Sequence, residues 1–181
     1  QMCIRDSYNG LITDAHNGAY PGGNFVSSAA RTVITNAGGN TRNLNSVACN
    51  WTTANTTGNL FVAVGDYGTI MSNPVTNNTW TVRQNNQNYN LLDIAYGGGV
   101  WMAVGTSGTI LSSTDGITWT SVSNPANGYA LLGGQPRNLN SVACSQDQLT
   151  FWVGGQGVIM TCPTNNLTNW TAKFDSGISY Q

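Results

Sequence analysis

Apolar residues in this chain come in short bursts that polar, glycine-rich turns interrupt. The middle of the sequence shows the pattern most clearly. Leu91-Leu92-Asp93-Ile94-Ala95-Tyr96 is a nearly continuous apolar run, and Gly97-Gly98-Gly99 breaks it. Val100-Trp101-Met102-Ala103-Val104 follows, then Gly105-Thr106-Ser107-Gly108, then Thr109-Ile110-Leu111-Ser112-Ser113. After Thr114-Asp115-Gly116, the stretch Ile117-Thr118-Trp119-Thr120-Ser121-Val122 alternates apolar and polar residues. Short runs rich in β-branched and aromatic residues, bounded by Gly, Asp and Ser, read as strands. The first three predict well-buried strands and the last a strand with one wet face. Glycines sit where tight turns need positive φ.

The pattern is written three times. Asn43-Leu44-Asn45-Ser46-Val47-Ala48-Cys49 and Asn138-Leu139-Asn140-Ser141-Val142-Ala143-Cys144 match the start of the middle copy, and Leu44, Leu91 and Leu139 stand 47 and 48 residues apart. A period of about 40–50 residues with four antiparallel strands per copy is the size of one propeller blade. The expected fold is all-β: a β-propeller of about three four-stranded blades, over residues 43–86, 90–124 and 138–174. Residues 1–42 form an irregular N-terminal segment, with residues 24–28 and 30–34 as two strands of a partial blade, and 175–181 form a tail. Propellers close with about four to eight blades. The chain is therefore expected to be part of a larger propeller of about six to eight blades, or to take blades from another chain. The opening Gln1-Met2-Cys3-Ile4-Arg5-Asp6-Ser7 resembles a translated sequencing-adapter scar, so the true N-terminus is expected to lie elsewhere.

Composition narrows the function classes. Only 7% of the 181 residues are charged and the net charge is -1, which leaves no electrostatic footprint for nucleic acid. No apolar run reaches the ~18 residues of a membrane span. There is no Glu, one His (His16) and one Lys (Lys173), so acid–base and metal chemistry have few groups to work with. No cofactor is expected. Cys49 and Cys144 share one repeat position and read as small buried residues on a first strand. Cys144 and Cys162 fall on the first and third strands of one blade, too far apart for a disulfide.

Ser113-Thr114-Asp115-Gly116-Ile117-Thr118-Trp119 resembles an Asp-box, the Ser-x-Asp-x-Gly-x-x-Trp turn of sialidase-like propellers, one residue shorter than usual. The surrounding repeat is similar to those of photosystem II assembly-factor propellers and of bacterial and phage surface propellers. The resemblance covers residues 43–174. It implies a folding role for Asp115, whose carboxylate accepts backbone N–H bonds. The first and third copies lack the Asp: Asn73-Pro74-Val75-Thr76-Asn77-Asn78 and Cys162-Pro163-Thr164-Asn165-Asn166 stand there. Trp80, Trp119 and Trp170 recur at one blade position, where packing of blade on blade competes with a carbohydrate-stacking role.

Enzymatic activity is not expected. A sialidase-like site needs a Tyr–Glu pair, and glycosidases in general need two convergent carboxylates. The Asp residues are scattered over different repeats. A catalytic triad would depend on His16, which lies in a polar loop.

Binding, if present, belongs on the face where the lead-in segments of the blades meet the turns between second and third strands. The lead-ins carry Arg42, Tyr89 and Arg137; the turns carry Asp66, Tyr67, Thr106, Ser107 and Gln156. Arg42 and Arg137 precede the same Asn-Leu-Asn-Ser motif, either as part of a polar binding patch or as donors in hydrogen bonds between blades. The expected role is structural or recognition, in an extracellular or virion-surface setting such as a phage tail, fibre or decoration protein. Its partners would be other protein chains of an assembly or surface glycans. The alternatives are an assembly-factor-like chaperone and a hydrolase fragment whose catalytic blades are missing. Sequons such as Asn166-Leu167-Thr168 are explained by chance in an Asn/Thr-rich chain.

Overall fold

The computed structural model describes residues 42–50, 58–74, 76, 79–84, 87–122, 131–132 and 135–175. The opening seven residues and the expected partial blade lie outside the described residues.

Three four-stranded antiparallel sheets follow one another along the chain, each a simple meander. Blade one comprises β1 (Leu44–Cys49), β2 (Leu60–Gly65), β3 (Ile70–Pro74) and β4 (Thr81–Gln84). Blade two comprises β5 (Leu91–Gly97), β6 (Val100–Gly105), β7 (Ile110–Ser113) and β8 (Thr120–Ser121). A two-stranded ribbon, β9 (Leu131–Leu132) with β10 (Gln135–Pro136), precedes blade three and was not anticipated from the sequence. Blade three comprises β11 (Leu139–Cys144), β12 (Thr150–Gly155), β13 (Val158–Pro163) and β14 (Thr171–Asp175). The fold is the expected propeller. The first strands β1, β5 and β11 lie side by side, with β5 between the other two. Among the described residues no helix is long and apolar enough to cross a membrane.

The core sits between blades. On β6, Trp101 and Ala103 face blade one and pack with Leu60, Val62, Val64 and Ile70. Met102 and Val104 face the other way and pack with Leu139, Val142, Phe151 and Val153 of blade three. Both faces of the strand are buried, which is why it reads as an unbroken apolar run. Burying a side chain of this size contributes roughly 1.5–3 kcal/mol. Trp119 packs against the cluster between blades one and two, and Trp170 is buried in the one between blades two and three. Trp170 also donates its Nε1 hydrogen to Leu167 O at 2.8 Å. Trp80 packs on Leu44, Ala63 and Met71 of its own blade.

The fourth strands differ from expectation. In blade two the pairing begins at Thr120 instead of Ile117, with Val122 N–H still donating to Ile110 O at 2.9 Å. Ile117 and Thr118 give their N–H groups to the Asp115 carboxylate, at 2.8 and 2.7 Å, and so have none left for a ladder. Ile117 is consequently exposed. The cysteines differ too: Cys49 and Cys144 are only half-buried, and Cys162 is fully buried. Cys144 pairs across β12 with Phe151, and Phe151 pairs with Cys162, so a whole strand separates the two thiols and no disulfide forms.

Candidate functional site

The lead-in segments and the second turns converge as expected, through a bond made once per blade. Asp66, Thr106 and Gln156 each donate their N–H to the carbonyl of the residue before the blade, Asn43, Asn90 and Asn138, at 3.0, 2.9 and 2.9 Å. The approach is close because the preceding residue is glycine. A Cβ on Gly65, Gly105 or Gly155 would lie 2.1, 2.0 or 2.3 Å from those carbonyl oxygens. The side chains return the bond. Asp66 Oδ2, Thr106 Oγ1 and Gln156 Oε1 accept from the N–H of Asn43, Asn90 and Asn138, at 3.4, 2.9 and 3.0 Å. Three chemically different candidate residues therefore do one structural task.

The asparagines also join neighbouring blades, a role the sequence reading missed. Asn90 Oδ1 accepts from Tyr67 N–H of blade one at 2.9 Å, and Asn138 Oδ1 accepts from Ser107 N–H of blade two at 3.1 Å. Each bond holds a turn residue in the left-handed region, with φ of 54° at Tyr67 and 57° at Ser107. For a bulky non-glycine residue this conformation costs on the order of 1 kcal/mol or more. The signal was in view, since an Asn stands before the opening leucine of every copy.

Tyr67 and Ser107 point outward, and Tyr67 is 52% exposed. The buried Arg42 guanidinium stacks on the Tyr67 ring, 4.9 Å from its centroid. Arg137 is also buried and donates from Nη1 to Gly157 O at 3.1 Å. Both of these arginine contacts stay within a single blade. Tyr89 is half-buried beside Gly68, and its hydroxyl accepts from Gln84 Nε2 at 2.7 Å. Burial pushes the Tyr89 phenol above its ordinary pKa, with the Gln84 bond opposing.

A second constellation lies where the first strands meet. Asp93 on β5 is buried and occupies the repeat position of Ser46 and Ser141. It accepts from Ser46 Oγ of blade one at 2.6 Å, and from Ser141 Oγ and Val142 N–H of blade three at 2.9 Å each. One carboxylate thus ties three blades together. The Ser–Asp–Ser pattern at one repeat position is the sequence signal that went unread.

The remaining described carboxylates with placed side chains close turns. Asp115 accepts from Ile117 and Thr118 N–H and from Ser113 Oγ, and these bonds hold its pKa down at about 2. Gly116 beside it has φ 68°, and a Cβ there would meet Leu60 of blade one at 2.5 Å. Asp147 accepts from Ser145 Oγ and, at 3.0 Å, from Leu149 N–H, which lowers its pKa. Burial pushes the Cys162 thiol up to about 12, helped by Cys144 nearby, so neither a thiolate nucleophile nor a metal ligand is at hand there.

Residues 31–179 match the family described as the DUF6242 beta propeller domain. The chain belongs to the DUF6242 beta-propeller family. Among solved structures this propeller is similar to YCF48 from Cyanidioschyzon merolae, with a TM-score of 0.53 and 19% identity over 72% of this chain and 37% of that one. It is also similar to YCF48 bound to D1 peptide, with a TM-score of 0.48 and 19% identity over 62% of this chain and 35% of that one. The DUF6242 chain therefore spans little more than a third of the length of the propellers it matches. No curated protein matches it.

Proposed function

We propose that this chain is a non-catalytic propeller module that acts in recognition or as a structural part of an assembly. The observation that carries the reading is the use of the carboxylates among the described residues. Asp66, Asp93, Asp115 and Asp147 are all engaged as acceptors of bonds that hold turns, lead-ins or blades in place. Acids so committed are poor general acids or bases, because protonating them dismantles the bonds that position them. What the face offers instead is an exposed aromatic ring and neutral amides on a rigid scaffold, the makings of a recognition surface. Other protein chains of an assembly and surface glycans are the two partner classes it suits. The composition, poor in charge and rich in Asn, Thr and Gly, supports a place on a virion or outside a bacterial cell. Finding the intact gene among metabolic genes, and not virion genes, would count against that placement. The assembly-factor role that the repeat resemblance implies is the second reading.

The test joins stability to turnover. The protein is incubated with aryl glycosides and sialosides, and Asp66→Asn and Asp93→Asn variants are melted. We expect no turnover and a lowered Tm in both variants, most in Asp93→Asn. Hydrolysis that disappears in an Asp variant of unchanged Tm would overturn the non-catalytic reading.

A further inference from the structure

The turn position shared by Tyr67 and Ser107 separates what the architecture needs from what it displays. Both residues adopt the same left-handed conformation, and both give their N–H to an Asn of the following blade. The small Ser107 satisfies that geometry, so the fold does not call for an aromatic ring at this position. Yet at position 67 the ring is present, more than half in solvent and part of no core cluster.

It is also held still. The backbone on either side of the ring is pinned by Asn90 Oδ1 at 2.9 Å and by Gln87 N–H, which donates to Tyr67 O at 2.9 Å. The Arg42 guanidinium occupies one side of the ring. An aromatic platform fixed before binding loses little entropy when a ligand stacks on it.

The neighbours decide the class of ligand. Asn43 and Gln87, both exposed and neutral, flank the turn: Asn43 O accepts from Asp66 N–H and Gln87 N–H donates to Tyr67 O. The Asp66 carboxylate beside them already accepts from Asn43 N–H and, at 3.2 Å, from Asn45 Nδ2. Arg42 is buried behind the ring, unable to reach an anion in solvent. A flat aromatic surface bordered by amides, with no accessible cation among the described residues, suits a ligand with an apolar ring face and a girdle of hydroxyls. We propose that Tyr67 is the stacking platform of a site for neutral carbohydrate, the CH face of a hexose lying on the ring and its hydroxyls bonding to the amides of Asn43 and Gln87. This inference rests on the recognition reading above and names its ligand. An acidic glycan would meet the Asp66 carboxylate at the rim, and is disfavoured.

The site is tested with an array of neutral and sialylated oligosaccharides beside a peptide array, followed by NMR titration with cellohexaose and chitohexaose. Binding to neutral oligomers is expected, with saturation transfer from sugar to the Tyr67 ring protons of the wild-type protein. Tyr67→Ser, which copies the residue at the blade-two position, should weaken binding by roughly tenfold or more, as loss of a hot-spot aromatic does. Tyr67→Phe keeps the ring and should stay within about threefold of wild type. No neutral glycan bound, or equal affinity in Tyr67→Ser, overturns the proposal. Peptide binding that is lost in Tyr67→Ser also overturns it, while leaving the recognition reading intact. Turnover of a bound glycan would instead overturn the non-catalytic reading and leave the carbohydrate site standing.

Discussion

At the scale of single residues, Asp66, Asp93, Asp115 and Asp147 each accept at least one backbone N–H. Asp115 shows the consequence for pH. Its pKa in the fold, about 2, is below the ~3.9 of an unconstrained Asp. The ionised form therefore favours the folded state. That contribution is complete above about pH 4 and is lost as pH falls from there toward 2. Asp147, depressed in the same direction, adds to the loss in the same window. Tm followed from pH 5 to pH 2 should fall, and Asp115→Asn should flatten part of that fall, since its amide oxygen accepts equally at every pH. An unchanged slope would mean that Asp115 is not held by Ile117 and Thr118. The turn was legible in the sequence because its acceptor and donors lie within three residues of one another. Asp93 was not, because its partners are 47 to 49 residues away on other blades.

At the scale of elements, each blade is closed by the same handshake between its lead-in and its second turn. The glycine that ends β2, β6 and β12 makes the approach possible. These glycines are needed for space and not for positive φ: Gly105 has φ -165°, an extended conformation open to any residue. An alanine Cβ there would sit 2.0 Å from Asn90 O, so the lead-in must move. Gly105→Ala should cost about 2–4 kcal/mol in urea unfolding. Gly154 has open space where its Cβ would be, and Gly154→Ala should change stability by well under ~1 kcal/mol. The strands themselves were legible from apolar runs and turns. Their ends were not, because side chains such as the Asp115 carboxylate compete for N–H groups that the pattern assigns to the ladder.

At the scale of the whole molecule, one repeat position has different fates in different blades. Val62 and Met102 are fully buried against the following blade, whereas Trp152, at the same position of β12, is 45% exposed. Ile70 and Ile110 are buried and Ile159 is 42% exposed. Met102→Ala should therefore cost about 2–5 kcal/mol, as emptying a packed core site does. Trp152→Ala should cost less than ~1 kcal/mol, as at a surface site. Chemical denaturation of the two variants side by side checks this, and equal losses would mean that the Trp152 face is covered in solution. No local pattern announces this difference, since Trp152 reads as core by every sequence criterion.

The sequence by itself determined the repeat, the all-β class, the number and order of strands within each blade, and the face on which lead-ins and turns gather. These follow from local alternation and from period, which a chain carries wherever it is read. Only the tertiary structure decided what those positions do. It made Asp66, Thr106 and Gln156 partners of the lead-in backbone, turned Asn90 and Asn138 into ties between blades, and placed Asp93 among three strands. It also left Tyr67, unlike the half-buried Tyr89 on that rim, backed by a cation and facing water. Such roles depend on which side chain meets which across about one repeat length of chain. Distance in space, not spacing in sequence, sets them.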